Sequence, residues 1–277
     1  VNKNKSSSES NNLPAFDKYW HYLKSVQSPD IDVKFFRKTY KKIFDKPAVL
    51  LREDFCGTFK LCCEWVKLRE EHKAIGLDLD PEPLAYGREK YFPKLDTDEQ
   101  SRLQAFEQNV LTAKLKTPAD IAVAVNFSYF IFKDRQVLKK YFQNVYDNLD
   151  AKGLFLLDIF GGSDVFELPE EETEFEDEDF SYFWDQEDYN PILNHGMFHI
   201  HFKRKGEKKR KNVFNYDWRV WSIAEIRDIL KEVGFSETRC YWEGTDKDGE
   251  GDGVFKPSEK GEAHCESFVA YVAGIKR

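Results

Sequence analysis

The spacing of apolar positions changes character along the chain. Between residues 15 and 44 it is helical, with Phe16, Tyr19, Trp20 and Leu23 on one stripe and Val33, Phe36 and Tyr40 on another. Two amphipathic helices are expected there, split near Ser28-Pro29-Asp30. From residue 48 onward the pattern becomes short apolar runs, at 48–51, 74–79, 121–125 and 154–160, with a weaker one at 103–106. Helical stretches lie between them at 58–71, 82–91 and 133–149. This alternation predicts an α/β fold, a Rossmann-like, doubly wound and mostly parallel sheet whose strand C-terminal ends share one ligand-binding edge.

After Phe160 the alternation stops. An acidic stretch at 167–179 reads as a solvated, mobile connection. It is followed by two strands of period two: Phe198, Ile200 and Phe202 point one way and His199, His201 and Lys203 the other, and Phe214, Tyr216, Trp218 and Val220 alternate on the return. With Gly206 at the turn, this predicts an inserted antiparallel β-hairpin. The helical pattern then resumes with its boundaries marked: Ser222 and Glu225 form a capping box, Trp221 and Ile226 a staple, and Gly234 a C-cap. Two last strands, 238–242 and 267–272, close the sheet as an antiparallel hairpin around a long loop at 243–262. The expected organisation is a disordered polar arm over 1–13, an N-terminal helical cover over 14–46, a cofactor-binding Rossmann-like core over 47–160, an inserted substrate cover over 161–221, and the C-terminal part of the core over 222–277.

Composition narrows the function. In 277 residues, 41% are apolar and 16% aromatic, with 24 Phe and 13 Tyr, enough for a packed core and an aromatic pocket. A formal net charge of −8 works against a phosphate backbone, so a small-molecule partner is expected rather than nucleic acid. The five cysteines include an adjacent pair, Cys62 and Cys63, and no C-x-x-C spacing, so neither a disulfide framework nor a zinc ribbon is expected. No apolar run approaches the ~20 residues that span a bilayer. A reducing, cytoplasmic setting is expected.

The chemistry concentrates at strand ends. The first strand runs into Arg52-Glu53-Asp54-Phe55-Cys56-Gly57-Thr58 and a helix, the place where such a sheet holds a nucleotide. The second ends in Gly76-Leu77-Asp78-Leu79-Asp80-Pro81, which puts Asp78 about 20 residues after Gly57, the offset of a carboxylate that accepts both hydrogen bonds of a ribose diol. The Cys56-Gly57-Thr58 turn together with Asp78, Leu79 and Pro81 resembles the class I S-adenosylmethionine-dependent methyltransferases, with Arg52 to Thr58 similar to a bacterial variant of their first motif. The resemblance extends from Ala48 to Arg277. It implies a methyltransferase with S-adenosyl-L-methionine as cofactor, Glu53 on the methionine amino group, Arg52 toward the carboxylate and Asp78 on the ribose. Asn109 and Val110 would lie at the adenine, and Asn126 beside the methyl group. Only Gly57 remains of the family's three glycines, with Phe55 and Phe59 at the other two positions; both would narrow the room for a pyrophosphate, which weakens an NAD-dependent oxidoreductase reading.

Methyl transfer from a sulfonium is an in-line displacement served chiefly by positioning and desolvation. If a base assists, Tyr129, His195, His199 and Tyr216 are the candidates. The H-x-H pair of His199 and His201 could suggest a metal site with His264 or Cys265, but a lone pair is a weak signal where three or four ligands are needed, and no metal is expected. The basic run 203–211 leaves open a second reading, a non-catalytic nucleoside- or RNA-binding protein of the same fold.

Overall fold

Strands buried on both faces read as continuous apolar runs, and the centre of this molecule is built from them. The computed structural model describes residues 14–167, 169–245, 251–261 and 265–277; the arm at 1–13 and His264 lie outside these. In chain order the elements are α1 (Lys18–Val26), α2 (Pro29–Phe44), β1 (Leu50–Asp54), α3 (Lys60–Lys67), β2 (Lys73–Asp78), α4 (Pro81–Lys90), α5 (Thr97–Ser101), β3 (Leu103–Glu107), β4 (Ala119–Ala124), α6 (Arg135–Asn148) and β5 (Leu149–Gly161). There follow β6 (Glu170–Phe175), β7 (Phe180–Asn190), β8 (His195–Arg204), β9 (Arg210–Arg219), α7 (Ile223–Val233), β10 (Glu237–Thr245), β11 (Gly251–Pro257) and β12 (Phe268–Ile275).

The main sheet has the order β11-β10-β12-β5-β4-β1-β2-β3. Strands β1 to β5 are parallel and β10 to β12 antiparallel. Side chains from α2, α3 and α4 (Phe36, Trp65, Leu84) fill one face of it, and those from α6 and α7 (Phe142, Ile229) the other. The doubly wound sheet with its closing hairpin is as expected. The capping box of Ser222 and Glu225 is present, and Gly234 ends α7 at φ +117°.

Three expectations need correction. The insertion is a four-stranded antiparallel sheet, β6-β7-β8-β9, and its acidic segment is an edge strand, Glu170 pairing with Asp185 through to Phe175 with Phe180. Charge on an edge strand blocks further pairing, which is why a real strand reads as a solvated connection. The loop after β10 contains another strand, β11. Of the two N-terminal helices only α1 covers the sheet's edge. Helix α2 is part of the core sandwich, burying Val33, Phe36 and Tyr40, with the Tyr40 hydroxyl 2.8 Å from the Lys152 carbonyl.

Helix α1 bridges the two sheets. On one side Trp20 and His21 meet Phe180, at ring separations of 5.9 and 4.8 Å, and Tyr22 meets Phe214 at 4.9 Å. On the other, the Tyr86 hydroxyl of α4 donates to Asp17 at 2.8 Å.

Candidate active site

Strand order reverses between β1 and β4, and at such a switch point the strand C-terminal ends leave a crevice. The turn after β1 is strained: Phe55, Gly57 and Phe59 lie at φ +55°, +49° and +45°, a region that bulky residues avoid and that marks functional turns. Neither phenylalanine projects as expected. Phe59 is fully buried and presses on α4 at Gly87, where a Cβ would stand 2.3 Å from the Thr58 carbonyl and 2.5 Å from the Phe59 ring. Close helix packing is thus secured by a glycine in α4 rather than in the turn. The Phe55 ring packs on Phe132 and Tyr141.

Two acids meet at this turn. Glu53, 4% exposed, accepts the Cys62 N–H at 3.0 Å; burial pushes its pKa up to about 8, with Asp78 and Asp54 adding to the rise. Asp78 accepts the Gly57 N–H at 2.7 Å and the Asp80 N–H at 2.9 Å, so it ties the two strand ends together. Neither acid has an ion-pair partner among the described residues. Beside them Leu79 is 61% exposed, an apolar platform at the mouth of the crevice. Asn109, after β3, folds its Oδ1 onto the Leu111 N–H at 2.9 Å, above the buried Val110. Cys56 contributes its backbone, donating to the Leu77 carbonyl at 3.0 Å, while its buried thiol is held protonated, chiefly by desolvation. The structure therefore brings Glu53, Cys56, Gly57, Thr58, Asp78 and Leu79 together on one edge.

Arg52 does not join them. Successive strand residues face opposite sides, and Arg52 is fully buried beneath the sheet, its Nε donating to Asp54 at 2.7 Å and its Nη2 to Asn144 at 3.0 Å. The expected reach toward a ligand carboxylate is corrected on that ground.

A second region opens beside the β4 turn, where Asn126 and Phe127 take φ +57° and +55°. Their N–H groups donate to the two oxygens of Asp158, at 2.6 and 2.9 Å. Desolvation pushes this buried carboxyl up to about 7, against the pull of those two bonds. Asn126 and Phe127 border a cavity of roughly 160 Å³. Phe160 of β5 and Tyr22 of α1 line two sides; Tyr182 and Trp184 of β7 and Tyr216 and Trp218 of β9 form the roof. The Trp218 indole nitrogen is buried and has no hydrogen-bond partner among the described residues. Sequence reasoning placed Asn126 and Tyr216 near the chemistry but missed Asp158, whose signal was a lone acid inside an apolar run. It also missed Tyr22 and Tyr182, which carry no signal beyond period.

The other base candidates fall away. Tyr129 is fully buried and donates to the Asp158 carbonyl at 2.9 Å, because the turn after Phe127 sends it back into the core. His199 lies on the face of the inserted sheet opposite the cavity, between Asn215 and Glu187 at 2.6 and 2.7 Å. The aromatic positions of β8 claim the inner face, so the alternating histidines are turned outward. His195 sits at the start of β8 among Lys133, Asp217 and Arg219. Tyr216 does line the cavity; burial pushes its hydroxyl well above the ordinary tyrosine range, and Tyr22 hydrogen-bonds it.

On that outer face Glu170, Asp185 and His201 come within ligand distance of one another. Their bonds are already assigned: His201 Nδ1 accepts the Asn212 N–H at 2.9 Å, which puts the proton on Nε2 facing Asp185 at 3.0 Å, and Lys209 neutralises Glu170 at 2.6 Å. In the basic run, Arg204 and Arg210 pair with Glu207 and Lys205 with Asp179.

No protein-family model and no curated protein matches the sequence. The structure is similar to solved ones. An S-adenosylmethionine-dependent methyltransferase from Clostridium acetobutylicum is 19% identical, with 94% of this chain and 98% of that one covered at a TM-score of 0.66. A SAM-bound amino pentose methyltransferase of calicheamicin biosynthesis from Micromonospora echinaspora is 14% identical, at 96% and 99% coverage and a TM-score of 0.64. A sugar N-methyltransferase from Streptoalloteichus is 14% identical, at 98% of both chains and 0.59. The chain has the Rossmann-like fold of the class I S-adenosylmethionine-dependent methyltransferases over nearly its whole length.

Proposed function

We propose that the protein is an S-adenosylmethionine-dependent methyltransferase acting on a small molecule, with the cofactor along the β1–β2 edge and the acceptor in the aromatic cavity. The observation that carries this reading is the pair of acids at the ends of β1 and β2, Glu53 and Asp78, with no cation beside them among the described residues and Arg52 locked to Asp54 below. Carboxylates without an ion-pair partner favour a cationic ligand and disfavour a pyrophosphate. S-adenosylmethionine carries an ammonium and a sulfonium; NAD carries two phosphates. When bound, the cofactor supplies an electrophilic methyl group on sulfur.

In this reading Glu53 holds the amino group, Asp78 the ribose diol, and the Cys56-Gly57-Thr58 turn passes beside the methionine. Leu79 packs on the adenine, whose edge Asn109 reaches above Val110. Asn126 stands between the cofactor and the cavity. Helix α1 and the inserted sheet exclude water, and Tyr216 shapes the acceptor. The structural neighbours, an amino pentose methyltransferase and a sugar N-methyltransferase among them, support a small-molecule acceptor. No helix among the described residues is long and apolar enough to cross a membrane, and four buried thiols, Cys56, Cys62, Cys63 and Cys240, favour a reducing cytoplasm.

The test has two parts. S-adenosylhomocysteine is expected to raise the melting temperature, by about 2.7 kcal/mol of stabilisation at 100 times its dissociation constant, and NAD is not. Transfer of tritiated methyl into a small-molecule fraction of cell extract then identifies the acceptor. A larger shift with NAD, or label only in RNA, would sink the proposal.

A further inference from the structure

We infer that the cavity accepts an amine, and that its aromatic walls recognise the ammonium which that nitrogen becomes on methylation. This deepens the methyltransferase reading and rests on it. The first argument is what the cavity lacks. Among the described residues that line it, none is Asp, Glu, His, Lys, Arg or Cys. Its three tyrosines, Tyr22, Tyr182 and Tyr216, are all pushed upward by burial. Asp158 stands behind the wall with each oxygen already accepting a backbone N–H of the β4 turn. An alcohol or phenol acceptor needs a group to take its proton, and no described residue that lines the cavity is a base poised to do so. An amine releases a proton to solvent before it reacts and then, as the neutral base, attacks through its lone pair without a further base in the site. The nitrogen forms the new N–C bond as the methyl–sulfur bond of the sulfonium donor breaks; the breaking pair stays on sulfur and the positive charge passes to nitrogen. The N–H proton leaves with the ammonium to solvent.

The second argument is what the cavity has. Tyr216 and Trp218 stack at 4.3 Å, Trp184 stands 6.3 and 6.2 Å from them, and Phe160 and Phe127 close the side at 4.7 Å from each other. Ring faces are negative, and the rings that border the cavity attract a cation wherever they turn a free face to it, most of all a methylated ammonium that has little water to shed. The same faces repel a thiolate or phenolate. At roughly 160 Å³ the space is below the ~300 to 1,000 Å³ of pockets that enclose a whole drug-sized ligand, so it suits the reacting head of the acceptor.

Choline and 3,3-dimethylbutan-1-ol provide the test, since they share a shape and differ by nitrogen for carbon. Ligand-observed NMR on the full chain, with and without S-adenosylhomocysteine, is expected to give choline at least about tenfold tighter binding, near 1.4 kcal/mol. Trp184→Leu and Tyr22→Leu should each lower choline toward the alcohol, while calorimetric binding of S-adenosylhomocysteine stays within about threefold; a retained melting transition shows that each variant is folded. Equal affinity for the two probes, no choline binding up to tens of millimolar, or a choline preference that survives both substitutions overturns the inference. Loss of S-adenosylhomocysteine binding by the unmodified protein is a different result: it removes the methyltransferase reading on which the inference stands.

Discussion

The two halves of the candidate site solve opposite problems. At the β1–β2 edge, acids are held by backbone N–H groups, and among the described residues no cation pairs with them. In the cavity beside β4, aromatic faces enclose a space without a charged side chain. The first is assembled by two neighbouring strands and their turns; the second needs α1, the β4 turn, β5, β7 and β9. The polar half is therefore local in sequence and the aromatic half is not. On the proposed reading, altering the inserted sheet would change acceptor specificity and leave the cofactor edge intact.

The contrast is sharpest under Asp78→Ala. This removes the acceptor for the Gly57 N–H as well as the proposed ribose contact, and affinity for S-adenosylhomocysteine should fall by about a hundredfold, erasing most of the ~2.7 kcal/mol ligand shift. Acceptor probes should bind as before. Unchanged cofactor affinity would break the assignment of this edge.

A next smaller effect is expected at Asp158→Asn, where an amide can accept only one of the two N–H groups of the β4 turn. An unsatisfied buried donor costs about 1–3 kcal/mol, so the melting temperature drops and methyl transfer slows by roughly tenfold, with cofactor affinity near that of the parent. Equal losses in both affinities would show that the halves are not separable.

The pH dependence tests Glu53. Its folded pKa, about 8, is raised above the ordinary glutamate value, so the ligand-free fold is favoured by protonation. That contribution is fully present below the unfolded value and is lost as pH rises through 8. A cationic ligand favours the carboxylate and must displace the proton. Affinity for S-adenosylhomocysteine should therefore rise up to roughly tenfold from about pH 6.5 to 8 and then level off, and Glu53→Gln should flatten the profile. An affinity that falls over this interval would exclude an ammonium at Glu53. The smallest effect belongs to His199→Gln on the outer face: about 1 kcal/mol of stability, with binding and turnover nearly unchanged.

How much was legible follows from range. Asp78 could be read because its offset from Gly57 is one βαβ unit, and α7 because its caps lie within a few residues of its ends. Arg52 misled because adjacency along a strand means opposite faces. Tyr129 misled because the left-handed pair at Asn126 and Phe127 reverses the chain just before it. The histidine alternation was correctly read, yet which face turns inward depends on Phe130 and Phe160 of the core, which pack on the aromatic side. Strand β6 hid behind its glutamates.

Helix α1 carries one more implication. Its Tyr19 is close enough to Asp78, Asp80 and Glu82 for their charges to raise its pKa, after burial, and three residues later Tyr22 lines the cavity. One short helix thus lies beside both proposed ligand positions. Any coupling between the two positions that runs through this helix is reciprocal by linkage: whatever factor the cofactor contributes to acceptor affinity, the acceptor returns to the cofactor.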